Sequence, residues 1–249
     1  MTNASFSMQP NDIRSKVIVA LDVADRDAAL KIVDELHGRV GAFKVGLQLF
    51  TTAGPSFVRE LADRGEDVFL DLKFHDIPNT VSSASVSAAE LGVWMLNVHA
   101  AGGSEMMRRT ARTVRSVCAE AGLRSPLLIG VTVLTSSDSR TLSEVGVESS
   151  AAEQVVRLAV LTKNAGFDGV VASAQEAAAI RAACGDDLLI VTPGIRPKDA
   201  TFDDQKRVMT LGGAIAAGSS YVVVGRPIIA ASDRVAALES LIYEANGRN

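Results

Sequence analysis

Cysteine is nearly missing from this chain: Cys118 and Cys184 are the only two, and neither falls in a Cys-x-x-Cys or Cys/His spacing. That excludes a disulfide framework and a structural zinc site, and it suits a reducing cytoplasm. Long apolar runs are missing too. No stretch reaches the roughly 18 apolar residues a membrane span needs, and residues 1–11 are polar with no apolar signal segment. The chain is therefore expected to be neither secreted nor membrane-inserted. A large charge of one sign is also missing. A net charge of -4 with a pI near 5.5 gives no general attraction to nucleic acid or to an anionic membrane. The expected partner is a small molecule, which a local basic patch could still hold if it is an anion. There is no low-complexity tract, and no motif for a cofactor that could act as an electron sink.

What is present is a large apolar fraction in a regular order. A composition 47% hydrophobic and 22% charged is that of a globular protein with a sizeable interior, and 249 residues suit a single domain of repeated β/α units. Short apolar, β-branched runs recur at 17–23, 42–46, 68–72, 95–98, 127–133, 169–172, 188–192 and 221–224, and read as eight buried strands. Between them the apolar residues fall on helical faces, as at Ala29, Ile32, Val33 and Leu36, or Phe57, Val58, Leu61 and Ala62. Pro55 and Pro78 sit at plausible first-turn positions, while Gly38, Gly65, Gly92, Gly122, Gly166, Gly185 and Gly218 follow helical stretches where a left-handed cap is wanted. Strand–helix alternation implies right-handed crossovers and parallel strands. The fold class is α/β, and eight units fit a (β/α)8 TIM barrel better than an open doubly wound sheet, the alternative with the same alternation. Residues 1–12 are expected to be a flexible tail and 13–249 the barrel.

Loop length points to a working face. Helix-to-strand turns are short, whereas the strand-to-helix loops at 135–150 and 193–207 are long, and barrel active sites lie at the strand ends that such loops follow. The first three strands also end in charge, with Asp22, then Lys44, then Asp71, Lys73 and Asp76. Asp71 and Lys73 share a strand face, and neighbouring strands bring Asp22 and Lys44 beside them. One Asp/Lys pair is as readily a structural salt bridge; four charges at adjacent strand ends favour function, because buried ion pairs are a costly route to stability. Asp76, two residues before Pro78, also reads as a helix N-cap, and cap and catalyst can be one residue. After strand eight, Gly225 allows close backbone approach to an oxyanion and Arg226 offers charge-assisted bonds, at the position where barrels commonly hold phosphate. His99 reads as a buried histidine bonded to backbone.

At this point a resemblance becomes specific. Asp71-Leu-Lys73-Phe-His-Asp76-Ile-Pro78-Asn-Thr80 is similar to the D-x-K-x-x-D-I-P-x-T signature of orotidine 5'-phosphate decarboxylases. Further matching pieces run from Asp22 through Phe43-Lys44-Val-Gly46, Val98-His-Ala-Ala-Gly-Gly103, Val131-Thr-Val-Leu-Thr135 and Thr192-Pro-Gly194-Ile-Arg196-Pro197 to Gly225-Arg226-Pro227, so nearly the whole chain is covered. The resemblance implies a cofactor-free carboxy-lyase that converts orotidine 5'-phosphate to uridine 5'-phosphate. Lys73, between Asp71 and Asp76, would stabilise and protonate a C6 carbanion. Lys44 and Asp22 would position ribose hydroxyls and the neighbouring carboxylate, and Thr135 would lie near the pyrimidine. Gln205 would close over the phosphate with Arg196 in the same site, and a homodimer would have Asp76, Ile77 and Thr80 reach into the partner's barrel. Sugar-phosphate relatives that share D-x-K-x-x-D use magnesium held partly by a Glu at the end of strand two. Here that residue is Lys44, whose ammonium repels a divalent cation. A catalytically silent ligand-binding barrel would be expected to lose Lys73 or an acid beside it, and all are present.

Overall fold

The computed structural model describes residues 12–197 and 209–247. Eight strands form in the expected order: β1 (Val17–Ala20), β2 (Ala42–Gly46), β3 (Val68–Phe74), β4 (Met95–His99), β5 (Leu127–Val131), β6 (Gly169–Val171), β7 (Leu189–Thr192) and β8 (Tyr221–Val224). Each pairs in parallel with its sequence neighbour, and β8 returns to β1, so the sheet is a closed barrel and the open doubly wound alternative is excluded. Around it lie α1 (Arg26–Leu36), α2 (Leu47–Asp63), α3 (Pro78–Glu90), α4 (Gly103–Ala121), α5 (Ser139–Glu144), α6 (Ala151–Asn164), α7 (Ala177–Cys184), α8 (Leu211–Ala216), α9 (Arg226–Ile229) and α10 (Arg234–Ala245).

The strands are apolar on both faces because both faces are covered. Outward residues such as Val17, Val19, Phe43 and Val45 pack against buried helix stripes, including Ile32, Val33 and Leu36 of α1 and Phe57, Val58 and Leu61 of α2. Inward residues, among them Ile18, Ala42, Phe69, Met95, Ile129 and Val223, fill the barrel itself. All seven glycines expected to cap helices take positive φ. Gly54, at φ 72, breaks α2 into two segments, and Pro55 begins the second as a first-turn proline.

Three local expectations change. Strand β1 stops at Ala20, leaving Asp22 beyond its end, while β3 continues to Phe74 and carries both Asp71 and Lys73. The long connection after β5 is not structureless, since it contains α5, capped by Asp138, whose carboxylate accepts from Thr141 N–H. Asp76 is not the N-cap of α3. Pro78 in the first turn holds the preceding residue extended, so Ile77 takes the cap position at φ -59 and ψ 153. The Asp76 carboxylate instead accepts from Ile77 N–H at 2.6 Å.

The long connection after β7 begins and ends on a backbone stem: Ile195 bridges Met209, Arg196 N–H donates to Met209 C=O, and Met209 N–H donates to Gly194 C=O. Gln205, expected to close over phosphate, lies outside the described residues, as does the expected N-terminal tail apart from Asp12, which caps a short 3-10 turn.

Candidate active site

At the C-terminal mouth of the barrel the ladder delivers inward side chains from adjacent strands. Lys44 pairs in register with Ala20 on one side and Phe69 on the other, and Gly46 pairs with Asp71, which staggers the charges up the inner wall. Lys44 is buried, with its ammonium 3.2 Å from Asp22 Oδ1 and 3.4 Å from Asp71 Oδ2. Gly46 makes room for it, because a Cβ there would lie 3.0 Å from Lys44 Nζ. The other oxygen of Asp71 accepts from Lys73 Nζ at 2.7 Å and from Asn97 Nδ2 at 2.7 Å.

Burial by itself would push the Asp71 carboxyl up. The two ammonium groups of Lys44 and Lys73, with the hydrogen bonds from Lys73 and Asn97, outweigh it and hold Asp71 below the usual carboxylate range. It is therefore ionised at neutral pH, and its carboxylate is shared between two cations.

Lys73 is held in an unusual backbone state. Among the described residues it is the one non-glycine with positive φ, at 51, a conformation that costs roughly 1–2 kcal/mol for an L-residue. It sits where the β3–β4 register shifts between Leu70 and Phe74, and its N–H donates not to a β4 carbonyl but to Asn97 Oδ1 at 2.8 Å. Strain of this kind persists only where the surroundings enforce it, and it concentrates at functional sites.

A cavity of about 350 Å³ opens above this cluster. Asp22, Lys44, Asp71, Lys73, Thr135, Arg196, Gly225 and Arg226 all line it, so the structure unites most of the residues singled out from the sequence. Its lining has four cations against two carboxylates, a formal surplus of two positive charges that complements a phosphate dianion. Arg196 and Arg226 enter it from beyond β7 and β8, and Arg196 also donates to the Ile195 carbonyl at 2.8 Å.

Asp76, Ile77 and Thr80 are not part of this cavity in the single chain. All three are exposed, Ile77 to 65%, and the ion pair of Lys73 within its own chain is to Asp71. His99 is also corrected. It is half-buried at the end of β4, with its ring 5.5 Å from that of His75, and no hydrogen bond to backbone forms among the described residues. Burial lowers its pKa, and nearby His75 and Lys73 lower it further against the opposing charge of Asp71. The sequence reading missed Asn97 altogether. Its signal was a lone amide at an inward position of the otherwise apolar run Met95-Leu-Asn97-Val.

Fold and site together define a (β/α)8 barrel of the enzyme type, with a cavity lined by charged side chains at the strand ends. Residues 15–241 match the orotidine 5'-phosphate decarboxylase / HUMPS family. The chain belongs to that family. It is 55% identical over 233 residues to an orotidine 5'-phosphate decarboxylase of Syntrophotalea carbinolica, covering 94% of this chain and 96% of the relative. A Moorella thermoacetica protein of the same name is 53% identical, covering 93% of this chain and 92% of its own. The crystal structure of an orotidine 5'-phosphate decarboxylase from Lactobacillus acidophilus superposes with a TM-score of 0.80 at 41% identity, over 92% of this chain and 98% of that one.

Proposed function

We propose that this carboxy-lyase converts orotidine 5'-phosphate to uridine 5'-phosphate and CO2, the decarboxylation step of pyrimidine nucleotide synthesis, with Lys73 as the proton donor. The observation that carries the reading is the Lys44–Asp71–Lys73 array at the floor of a cavity whose rim supplies Arg196 and Arg226. When the C6–carboxylate bond breaks, its electron pair stays on C6, a carbanion with little delocalisation. The Lys73 ammonium stabilises that charge and then transfers a proton from Nζ to C6, which is preorganised electrostatics joined to general acid catalysis. Asp71 keeps the ammonium aimed, and Lys44 and Asp22 take the ribose side. Thr135 flanks the pyrimidine. Arg196, Arg226 and the Gly225 backbone take the phosphate, with Gln205 closing over it. Phosphate binding remote from C6 then contributes to rate through closure of the loop after β7.

No cofactor enters this scheme, and a Lys at the end of β2 opposes the metal used by sugar-phosphate relatives. The direct test is the absorbance of orotidine 5'-phosphate mixed with purified protein and a chelator. A spectral change from substrate to product is expected; none would overturn the reading, and turnover restored only by magnesium would favour a sugar-phosphate activity.

The working unit is a homodimer in which Asp76, Ile77 and Thr80 complete the partner's site. Exposure of all three at the rim near Lys73 supports this. Mixing inactive Lys73→Ala and Asp76→Ala chains then yields dimers with one intact site. Random exchange makes roughly half the dimers mixed, so activity should recover to about a quarter of wild type. Activity that stays at the parental level, with exchange verified by native mass spectrometry, would show that Asp76 serves its own chain. Cytoplasmic residence fits the two buried, free thiols. Among the described residues no helix is long and apolar enough to cross a membrane.

A further inference from the structure

We propose that Asn97 is a positioning residue that sets both the charge partner and the backbone of Lys73, an inference that rests on the proton-donor role given to Lys73 above. Asn97 lies at 1% exposure on β4, in register with the inward Ile129, so its amide points into the barrel beneath the cavity. One end of that amide accepts from Lys73 N–H at 2.8 Å; the other donates to Asp71 Oδ1 at 2.7 Å. Only one orientation of the amide serves both, since a backbone N–H needs an acceptor and a carboxylate needs a donor.

The two bonds act on the same ion pair. Lys73 Nζ and Asn97 Nδ2 converge on a single oxygen of Asp71, while the Asn97 oxygen holds the backbone of Lys73 at its left-handed turn. A residue at this position therefore needs a donor and an acceptor on one short, neutral, planar group. Leucine offers neither. Aspartate keeps the acceptor but, when ionised, turns a second negative charge toward Asp71 in place of a donor, and that repulsion raises the pH at which the pair takes up a proton. Without the amide, the Lys73 ammonium remains attached to Asp71, but neither partner is fixed relative to the reacting carbon.

Misplacement of a catalytic group by about 1 Å can lower turnover on the order of 10²-fold without removing any group that touches substrate. Asn97→Ala is accordingly expected to lower kcat by about 10²-fold, while uridine 5'-phosphate, measured by calorimetry, binds within about threefold of wild type because the phosphate contacts come from other strands. A kcat within about threefold of wild type, or parallel loss of turnover and nucleotide binding, overturns the proposal. Should Asn97→Ala fail to fold, Asn97→Asp decides. Protonation of the introduced carboxyl restores the donor toward Asp71, so the ratio of variant to wild-type kcat should rise at least tenfold from pH 8 to pH 5, up to the limit set by one proton. A flat ratio counts against the proposal. Lys73→Ala, assayed alongside, separates the two ideas. If it remains active, the donor assignment itself fails; if it is inactive while Asn97→Ala is nearly normal, only the positioning role is wrong.

Discussion

The two ends of the barrel use the same kinds of charged residue in opposite ways. At the N-terminal end charged side chains close the turns between helices and strands. Arg181 of α7 donates to the carbonyls of Gly185, Asp186 and Gly218 and to Ser220 Oγ, closing the turns that lead into β7 and β8. Arg115 pairs with one oxygen of Asp168 at 3.0 Å, and the other oxygen accepts from Leu128 N–H at 2.8 Å. Trp94 and Tyr221 meet edge to face at 5.1 Å beneath the strands. At the C-terminal end two ammonium groups converge on one carboxylate, one of them on a strained backbone, beneath a cavity. One end uses its charges to close turns of the fold; the other directs them toward a cavity, where the proposed reaction would develop charge. Such sites commonly trade stability for activity.

Removing charge from the upper end should therefore damage turnover far more than folding. Lys73→Ala is expected to abolish decarboxylation, at least 10²-fold for a lost general acid, while the melting temperature falls less than it does for Arg181→Ala. A variant retaining more than about a tenth of wild-type kcat would retire Lys73 as the donor. Arg226→Ala comes next. It should lower kcat/KM for the phosphorylated substrate by about 2–5 kcal/mol, as when one partner of a charge-assisted pair is truncated, and leave the unphosphorylated nucleoside nearly unaffected. Equal losses with both substrates would move Arg226 to the structural side of the comparison.

The opposite pattern is expected at the lower end. Arg181→Ala strips donors from the partly buried carbonyls of Leu188 and Gly218 and should cost about 1–3 kcal/mol of stability. For a chain of this size that is a fall of roughly 2–4 °C in melting temperature per kcal/mol, read by calorimetry, with kcat unchanged. A large loss of kcat with no loss of stability would break the division between the ends.

Much of this division was legible in the sequence. The eight strands announced themselves as apolar β-branched runs because parallel strands are covered on both faces, and the charges at 22, 44, 71 and 73 stood out against those runs. What stayed hidden was whatever depends on the neighbouring strand. The register shift that puts Lys73 at φ 51 arises between β3 and β4, and nothing within the run from Val68 to Phe74 encodes it. Asn97 was passed over for the same reason, since one amide in an apolar strand acquires meaning only when Asp71 and the Lys73 backbone arrive opposite it. Asp76 was misread as a cap because the effect of Pro78 on Ile77 moves the cap by one residue.

The smallest expected effect concerns pH and the stability that the upper cluster does contribute. Asp71 in the folded protein titrates below its ordinary range, because Lys44, Lys73 and Asn97 favour its charged form more than burial opposes it. A carboxyl with a depressed folded pKa binds protons more readily when unfolded. Its contribution is therefore fully present above the unfolded value of about 3.9 and is lost as pH falls through the lower folded value. Asp71→Asn mimics the protonated side chain, with similar shape and no charge. The stability gap between wild type and Asp71→Asn, taken from urea midpoints, should stay constant from neutral pH down to about 5 and narrow only below about 4. Losses from other acids act on both proteins and cancel in the difference. A gap that remains the same down to pH 3 would mean that the Asp71 charge adds nothing to the folded state, leaving the upper cluster with a catalytic role alone.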